Sequence, residues 1–249
     1  MTAAARAKSD FLRDNPLGYF VSAMLAGVFI GFGVILVFTI SATLEGSPWT
    51  KLVMGGSFTM ALSLVVMAGA ELFTGNNMVM CSGSCHGTVS WGETLRLWVV
   101  CFLGNWAGLL LMVALYRGSG LSTEGFERAV AATTQAKMSA PFLQLFIRAM
   151  FCNALVCFAS WCATKCKSEA AKLIMFFWCI FAFFTSGFEH SVTNIAIMAL
   201  GLLTPHGAEL TLGGYFYNLF VTTVGNVAGG VLFVALPYYL IAGRPRAHR

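Results

Sequence analysis

Six long stretches of the chain carry no charged side chain, and they limit what it can fold into more than any other feature. They cover 15–44, 52–70, 97–116, 149–164, 173–188 and 210–242. A helix crossing a bilayer needs about 20 predominantly apolar residues, and each stretch is near or above that length. The fourth and fifth fall slightly short unless 142–148 and 189–203 are joined to them. With 58% hydrophobic residues, 10% charged ones and a mean hydropathy of +0.78, the chain cannot cover itself with a soluble surface. The fold class expected is an all-α membrane protein with six transmembrane helices, forming one transmembrane domain over 1–249.

Charge placement orients the spans. Arg6, Lys8, Asp10, Arg13 and Asp14 precede the first span, and no small-residue cleavage site follows a short apolar core, so the first helix is expected to stay in the membrane. Six spans put both termini on one side. That side holds Arg6, Lys8, Arg13, Arg96, Lys165, Lys167, Lys172, Arg244, Arg246 and Arg249, against Lys51, Arg117, Arg128 and Lys137 on the other. The excess of basic residues places both termini in the cytoplasm. It also accounts for the net charge of +5 without a nucleic-acid partner. Cys101, Cys152, Cys157, Cys162 and Cys179 sit in apolar stretches, where a thiol acts as a small hydrophobe. Cys81, Cys85 and His86 form a C-x3-C-H cluster after span two, but the spacing is loose and no second ligand pair is near. No metal and no cofactor are expected.

The chain repeats itself. Residues 104–115 and 225–236 agree at eight of twelve positions at a constant offset of 121, including Asn105 and Asn226 inside apolar helices. A second match at an offset of 118 pairs Gly69, Glu71 and Asn76 with Gly187, Glu189 and Asn194. Both patterns relate spans two and three to spans five and six. The unit is therefore three helices long, 15–117 and 140–242, and an odd number of spans inverts the second copy. In such inverted repeats the substrate site lies near the bilayer midplane between the halves. The polar residues Glu71, Thr74, Asn76 and Asn77, and then Glu189, His190, Thr193 and Asn194, interrupt spans two and five. Polar interruptions at membrane depth persist only when buried in protein or lining a cavity. Spans two and five are thus expected to be broken helices that face each other.

His190 is the only histidine within an expected span, since His86, His206 and His248 fall in loops or the tail. An imidazole there can donate a hydrogen bond to an anion or transfer a proton. Moving a bare anion through an apolar path carries an idealised desolvation cost of about 20 kcal/mol. A weak-acid anion that is hydrogen-bonded or protonated at the narrowest point escapes most of it. Thr74, Asn153 and His190 can supply that polar midpoint. Lys137, four residues before Pro141, stands where it would attract anions into a vestibule. Glu71 and Glu189 would repel an anion, so they are read as structural, accepting hydrogen bonds from backbone groups freed at their breaks. Arg148, alone inside span four, is read either as a partner for one of them or as part of that helix's polar cap. Gly27, Gly31, Gly104, Gly108, Gly225 and Gly229 at helical spacing allow close helix contacts.

At these residues the chain resembles the formate/nitrite transporter family over nearly its whole length. The likeness is strongest at Asn15 to Gly18, Ala70 to Asn76, Cys152 to Cys157, Gly187 to Val192 and the paired Gly-Asn segments. The resemblance implies a homopentamer with one aquaporin-like pore per subunit, in a bacterial cytoplasmic (inner) membrane. It makes Phe58, Leu62 and Phe183 constriction residues, Leu72, Phe73 and Thr74 the loop that breaks span two, and His190 the central histidine. Asn153 matches the polar residue near that histidine, and Lys137 the vestibule lysine. Where the family usually has alanine before the span-five asparagine, this chain has Thr193. The wording is more similar to the nitrite and hydrosulfide branch than to the formate channels.

The reading is therefore a channel or transporter, not an enzyme, for small monovalent weak-acid anions, with nitrite first and formate close behind, and protons possible co-travellers. A hydrosulfide channel of the same family is the nearest alternative. A neutral-solute channel is the weaker alternative, because the chain lacks the paired Asn-Pro-Ala boxes and the filter arginine that such channels use, and a haem or metal protein would need histidines facing across the bundle.

Overall fold

The computed structural model describes residues 1–204 and 210–242; His206, Arg244, Arg246, His248 and Arg249 lie outside them. Among the described residues the structure is all helical. The helices are α1 (Thr2–Asp14), α2 (Pro16–Thr43), α3 (Thr50–Met67), α4 (Phe73–Cys85), α5 (Trp91–Gly118), α6 (Glu124–Met138), α7 (Phe142–Ala163), α8 (Glu169–Ser186), α9 (Ser191–Leu203), α10 (Leu212–Gly230) and α11 (Leu236–Ala242). A π-helical turn, Val231–Ala235, joins α10 to α11, so the last span runs Leu212–Ala242. Among the described residues six helices are long and apolar enough to cross a membrane: α2, α3, α5, α7, α8 and that last one.

Local chemistry sets the helix ends. The Asn15 side chain accepts the Gly18 N–H at 2.9 Å with Pro16 in the first turn, so the Asn-Pro pair is a helix start. Ser90 and Glu93 form a reciprocal capping box at α5. The fifth span reaches 18 residues without the segment beyond the break, because Glu169 and Lys172 belong to its first turn and Ser168 caps it. In the sequence the uncharged stretch begins only at Leu173, after these charges, which is why the span looks short there. The amphipathic α1 and α6 lie outside the six spans; α1 packs on α4, and α6 on α2 and α9.

Spans two and five are broken as expected. α3 stops at Met67 and α4 starts at Phe73; α8 stops at Ser186 and α9 starts at Ser191. Each break turns on a left-handed glycine, Gly69 at φ 72° and Gly187 at φ 77°, a conformation that glycine adopts without steric cost. An asparagine from the next span then repairs the freed backbone. Asn105 Oδ1 accepts the Phe73 N–H at 2.9 Å while its Nδ2 donates to the carbonyls of Ala23 and Glu71. Asn226 does the same for Ser191, Ala149 and Glu189. The repeat seen in the sequence is thus a repeated hydrogen-bond pattern. The mainly apolar α2 and α5 pack along each other, as do α7 and α10. Gly108 lies against the Met24 backbone and Gly229 against the Met150 backbone, so a Cβ at either position would strike main-chain atoms.

Candidate functional site

The two breaks meet. His190, the residue before α9, brings its Nε2 within 3.0 Å of Thr74 Oγ1 in the first turn of α4. Both residues are buried, and the Phe183 ring stacks on the imidazole at 5.9 Å between centroids. The ring's protonation follows from its neighbours. The Thr193 backbone N–H donates to Nδ1 at 3.1 Å, and a backbone amide can only donate, so Nδ1 carries no proton. The neutral ring then carries its hydrogen on Nε2 and donates to Thr74. Thr74 Oγ1, being an acceptor in that bond, keeps its own hydroxyl hydrogen for a third group. The Thr193 hydroxyl, 2.8 Å from Nδ1, adds a second contact that an alanine there would lack.

Each break lines a cavity, and each cavity holds a lysine paired with the glutamate of that break. One, about 180 Å³, is lined by Lys51, Lys137, Phe183, Glu189, His190 and Thr193 among others. Lys137 Nζ lies 2.7 Å from Glu189 Oε2, with side-chain exposures of 13% and 8%. The other, about 320 Å³, is lined by Lys8, Leu62, Glu71, Leu72, Asn76 and Phe176 among others. There Lys8 Nζ lies 2.6 Å from Glu71 Oε1.

These contacts revise the expected role of the glutamates. Their carboxylates take side-chain donors, not backbone ones: Glu71 accepts from Lys8, Tyr19 and Asn76, and Glu189 from Lys137 and Asn194. The backbone groups at the breaks are already served by Asn105 and Asn226, which leaves the carboxylates free to hold a cation. Arg148 pairs with neither. Its carbonyl accepts the Glu189 N–H at 3.3 Å, and its side chain is exposed.

The other expected residues divide. Phe58, Leu62 and Phe183 are buried together near the centre, with Phe58 edge-on to Phe183 at 6.1 Å. Leu72 lines the Lys8 cavity. Phe73 packs edge-on against Phe102 of α5 at 5.1 Å and lines neither described cavity. Asn153 is also away from His190's hydrogen bonds. Its Nδ2 donates to Asn77 Oδ1 at 3.0 Å and to the Asn226 carbonyl at 2.7 Å, tying α7 to α4 and α10. Among the described residues no group of three His, Cys, Asp or Glu is placed to hold a metal. Cys81 and Cys85 stand 4.0 Å apart, and His86 turns its Nδ1 to the Ser82 carbonyl of its own helix.

The sequence reading missed Lys8 and Lys51 as cavity residues. In the sequence Lys8 reads only as a charge that sets topology. The signal for it lies in the repeat: if Glu189 has a lysine, Glu71 should have one too.

The sequence profile described as "Formate/nitrite transporter" matches residues 1–240. The chain is 38% identical over 237 residues to the nitrite transporter NirC of Escherichia coli K12, covering 95% of this chain and 87% of that protein. It is 29% identical over 244 residues to the formate channel FocA of Haemophilus influenzae, covering 89% and 86%. Among solved structures, an FNT family ion channel superposes with a TM-score of 0.92 at 38% identity, over 96% of each chain. A pentameric formate channel with formate bound gives 0.81 at 28% identity, over 90% of this chain and 96% of that one. These relatives are channels and transporters, and with its six apolar helices this multi-pass membrane chain belongs to the formate/nitrite transporter family.

Proposed function

We propose that the protein passes small monovalent weak-acid anions across a bilayer, nitrite first and formate close behind, along a path from the Lys137 cavity past Thr74 and His190 to the Lys8 cavity. The observation that carries this reading is the Thr74–His190 contact, which joins two breaks that each line a lysine-bearing cavity. Lys137 and Lys8 draw the anion into each mouth, while Glu189 and Glu71 limit how tightly it is held. Phe58, Leu62 and Phe183 form the apolar constriction that hydrated ions do not pass. At the centre the Nε2–H of His190 and the hydroxyl of Thr74 replace water as hydrogen-bond donors, lowering the cost of desolvating the anion. The hydrogen bond from the Thr193 N–H favours a donor role for His190 over proton release, because a second ring proton would have to displace it. The protein takes up nitrite at least as well as formate, in keeping with its greater identity to NirC than to FocA.

The repeat halves are inverted, the chain assembles as a homopentamer, and the Lys8 mouth faces the cytoplasm of a bacterial inner membrane with both termini. Similarity to a pentameric formate channel and the basic-residue count support these parts. The test is a flux panel in proteoliposomes with nitrite, formate, lactate and hydrosulfide at two pH values. Nitrite and formate flux well above empty liposomes is expected. Rapid glycerol or water flux with none of the anions would refute the reading.

A further inference from the structure

Lys51 occupies the second residue of α3 and lines the same cavity as Lys137, Glu189 and His190. Its ammonium sits over the second break, 3.5 Å from where a Cβ on Gly187 would lie. Lys137, deeper in this mouth, has its charge offset by Glu189 at 2.7 Å. Lys51 makes no ion pair among the described residues. The net positive charge of this mouth therefore sits on Lys51.

The other copy of the repeat shows that helix-making does not explain this lysine. At the offset of 118, Thr50 and Lys51 correspond to Ser168 and Glu169. In α8 the pair suits a helix start: Ser168 caps the helix, and Glu169 puts a negative charge in the first turn, where the helix dipole favours it. In α3 the cap position is Trp49, with no side-chain hydrogen bond, and the first turn carries a cation that the same dipole repels. The corresponding positions thus carry opposite charges, and the one in the Lys137 cavity is positive against local helix preference.

We propose that Lys51 is the anion-capturing residue of this mouth, the first charge that an arriving anion meets before Lys137 and the constriction. The inference rests on the anion-passage reading above. Its ammonium raises the local anion concentration without gripping the anion at the centre, so it acts on saturation and not on the maximal rate.

The test is nitrite uptake into proteoliposomes by the wild type, Lys51→Gln and Lys51→Glu, at low and at 1 M ionic strength. Size-exclusion profiles check that each variant folds and assembles. The half-saturating nitrite concentration should rise about threefold in Lys51→Gln and about tenfold in Lys51→Glu at low salt, with no loss of maximal flux. At 1 M salt, where the screening length falls to about 3 Å, the difference should largely vanish. Wild-type flux with an unchanged half-saturating concentration in both variants overturns this inference and leaves the anion-passage reading standing. No anion flux in the wild type overturns both. A lower maximal flux with unshifted, salt-independent saturation would mark Lys51 as merely structural and also overturns it.

Discussion

Removing one charge from the Lys137–Glu189 pair should cost far more than removing both. Glu189→Gln keeps the side chain's size and an oxygen that can accept from Asn194, but it strips the counter-charge from Lys137, whose side chain is 13% exposed. Breaking a buried pair by deleting one partner costs about 3 kcal/mol, taking the lower end of the usual range because the lysine lines an open cavity. For a chain of this size that is a fall of about 6–12 °C in Tm. Lys137→Met leaves Glu189 with Asn194 as its remaining side-chain donor and should cost a similar amount. The double variant, with neither charge left unmatched, should return to within about 1 kcal/mol of the wild type. Thermal unfolding of the detergent-solubilised protein, followed by tryptophan fluorescence for all four proteins, measures the coupling. Additive losses would refute the claim that the glutamate's role is to hold the lysine. Lys8 and Glu71, where the lysine side chain is 25% exposed, should show the same pattern with a smaller coupling.

Further outcomes follow from other contacts. Asn105→Leu and Asn226→Leu each take the amide partner from one N–H and one carbonyl at a break, at about 1–3 kcal/mol per buried group, and should abolish recovery of a monodisperse protein. Gly108→Val and Gly229→Val should fail to fold because the new side chain meets the Met24 or Met150 backbone, whereas Gly56→Ala, with nothing within 4 Å, should be recovered normally by size exclusion. The Glu127 carboxyl outside the spans is held below the ordinary carboxylate range by hydrogen bonds from Arg117 and Ser122. Its stabilising contribution is therefore complete above the ordinary carboxylate pKa and lost as pH falls through the lowered one. The Tm difference between wild type and Glu127→Gln should accordingly shrink between pH 7 and pH 3; a difference that stays constant contradicts the assignment.

Much of the fold was legible because membrane burial leaves a coarse signature. Uncharged stretches gave six spans, and the constant offsets of 118 and 121 singled out the breaks and the asparagines that repair them. The start of the fifth span was misplaced because Glu169 and Lys172 read as loop charges, although a first turn at an interface tolerates both. The site was legible in part. His190 and Thr74 stood out as polar residues at the two breaks, and the structure places them in contact. Phe73 adjoins Thr74 in the sequence and Asn153 is an amide inside the apolar span four, yet the direction of a side chain around a helix decides which surface it lines, and theirs face neighbouring helices. The glutamates' partners were hidden for another reason. Lys8 and Lys137 lie on α1 and α6, short amphipathic helices whose place against the breaks depends on packing that no span pattern records.

Formate or nitrite flux through the Thr74–His190 contact tests the central claim most directly. With wild-type, His190→Leu and Lys137→Glu proteins reconstituted at equal density, stopped-flow uptake of nitrite by proteoliposomes should be fast for the wild type and reduced at least about tenfold in both variants, equivalent to about 1.4 kcal/mol at the barrier. Nitrite uptake at the wild-type rate in both variants would contradict the account, because the path would then cross neither residue.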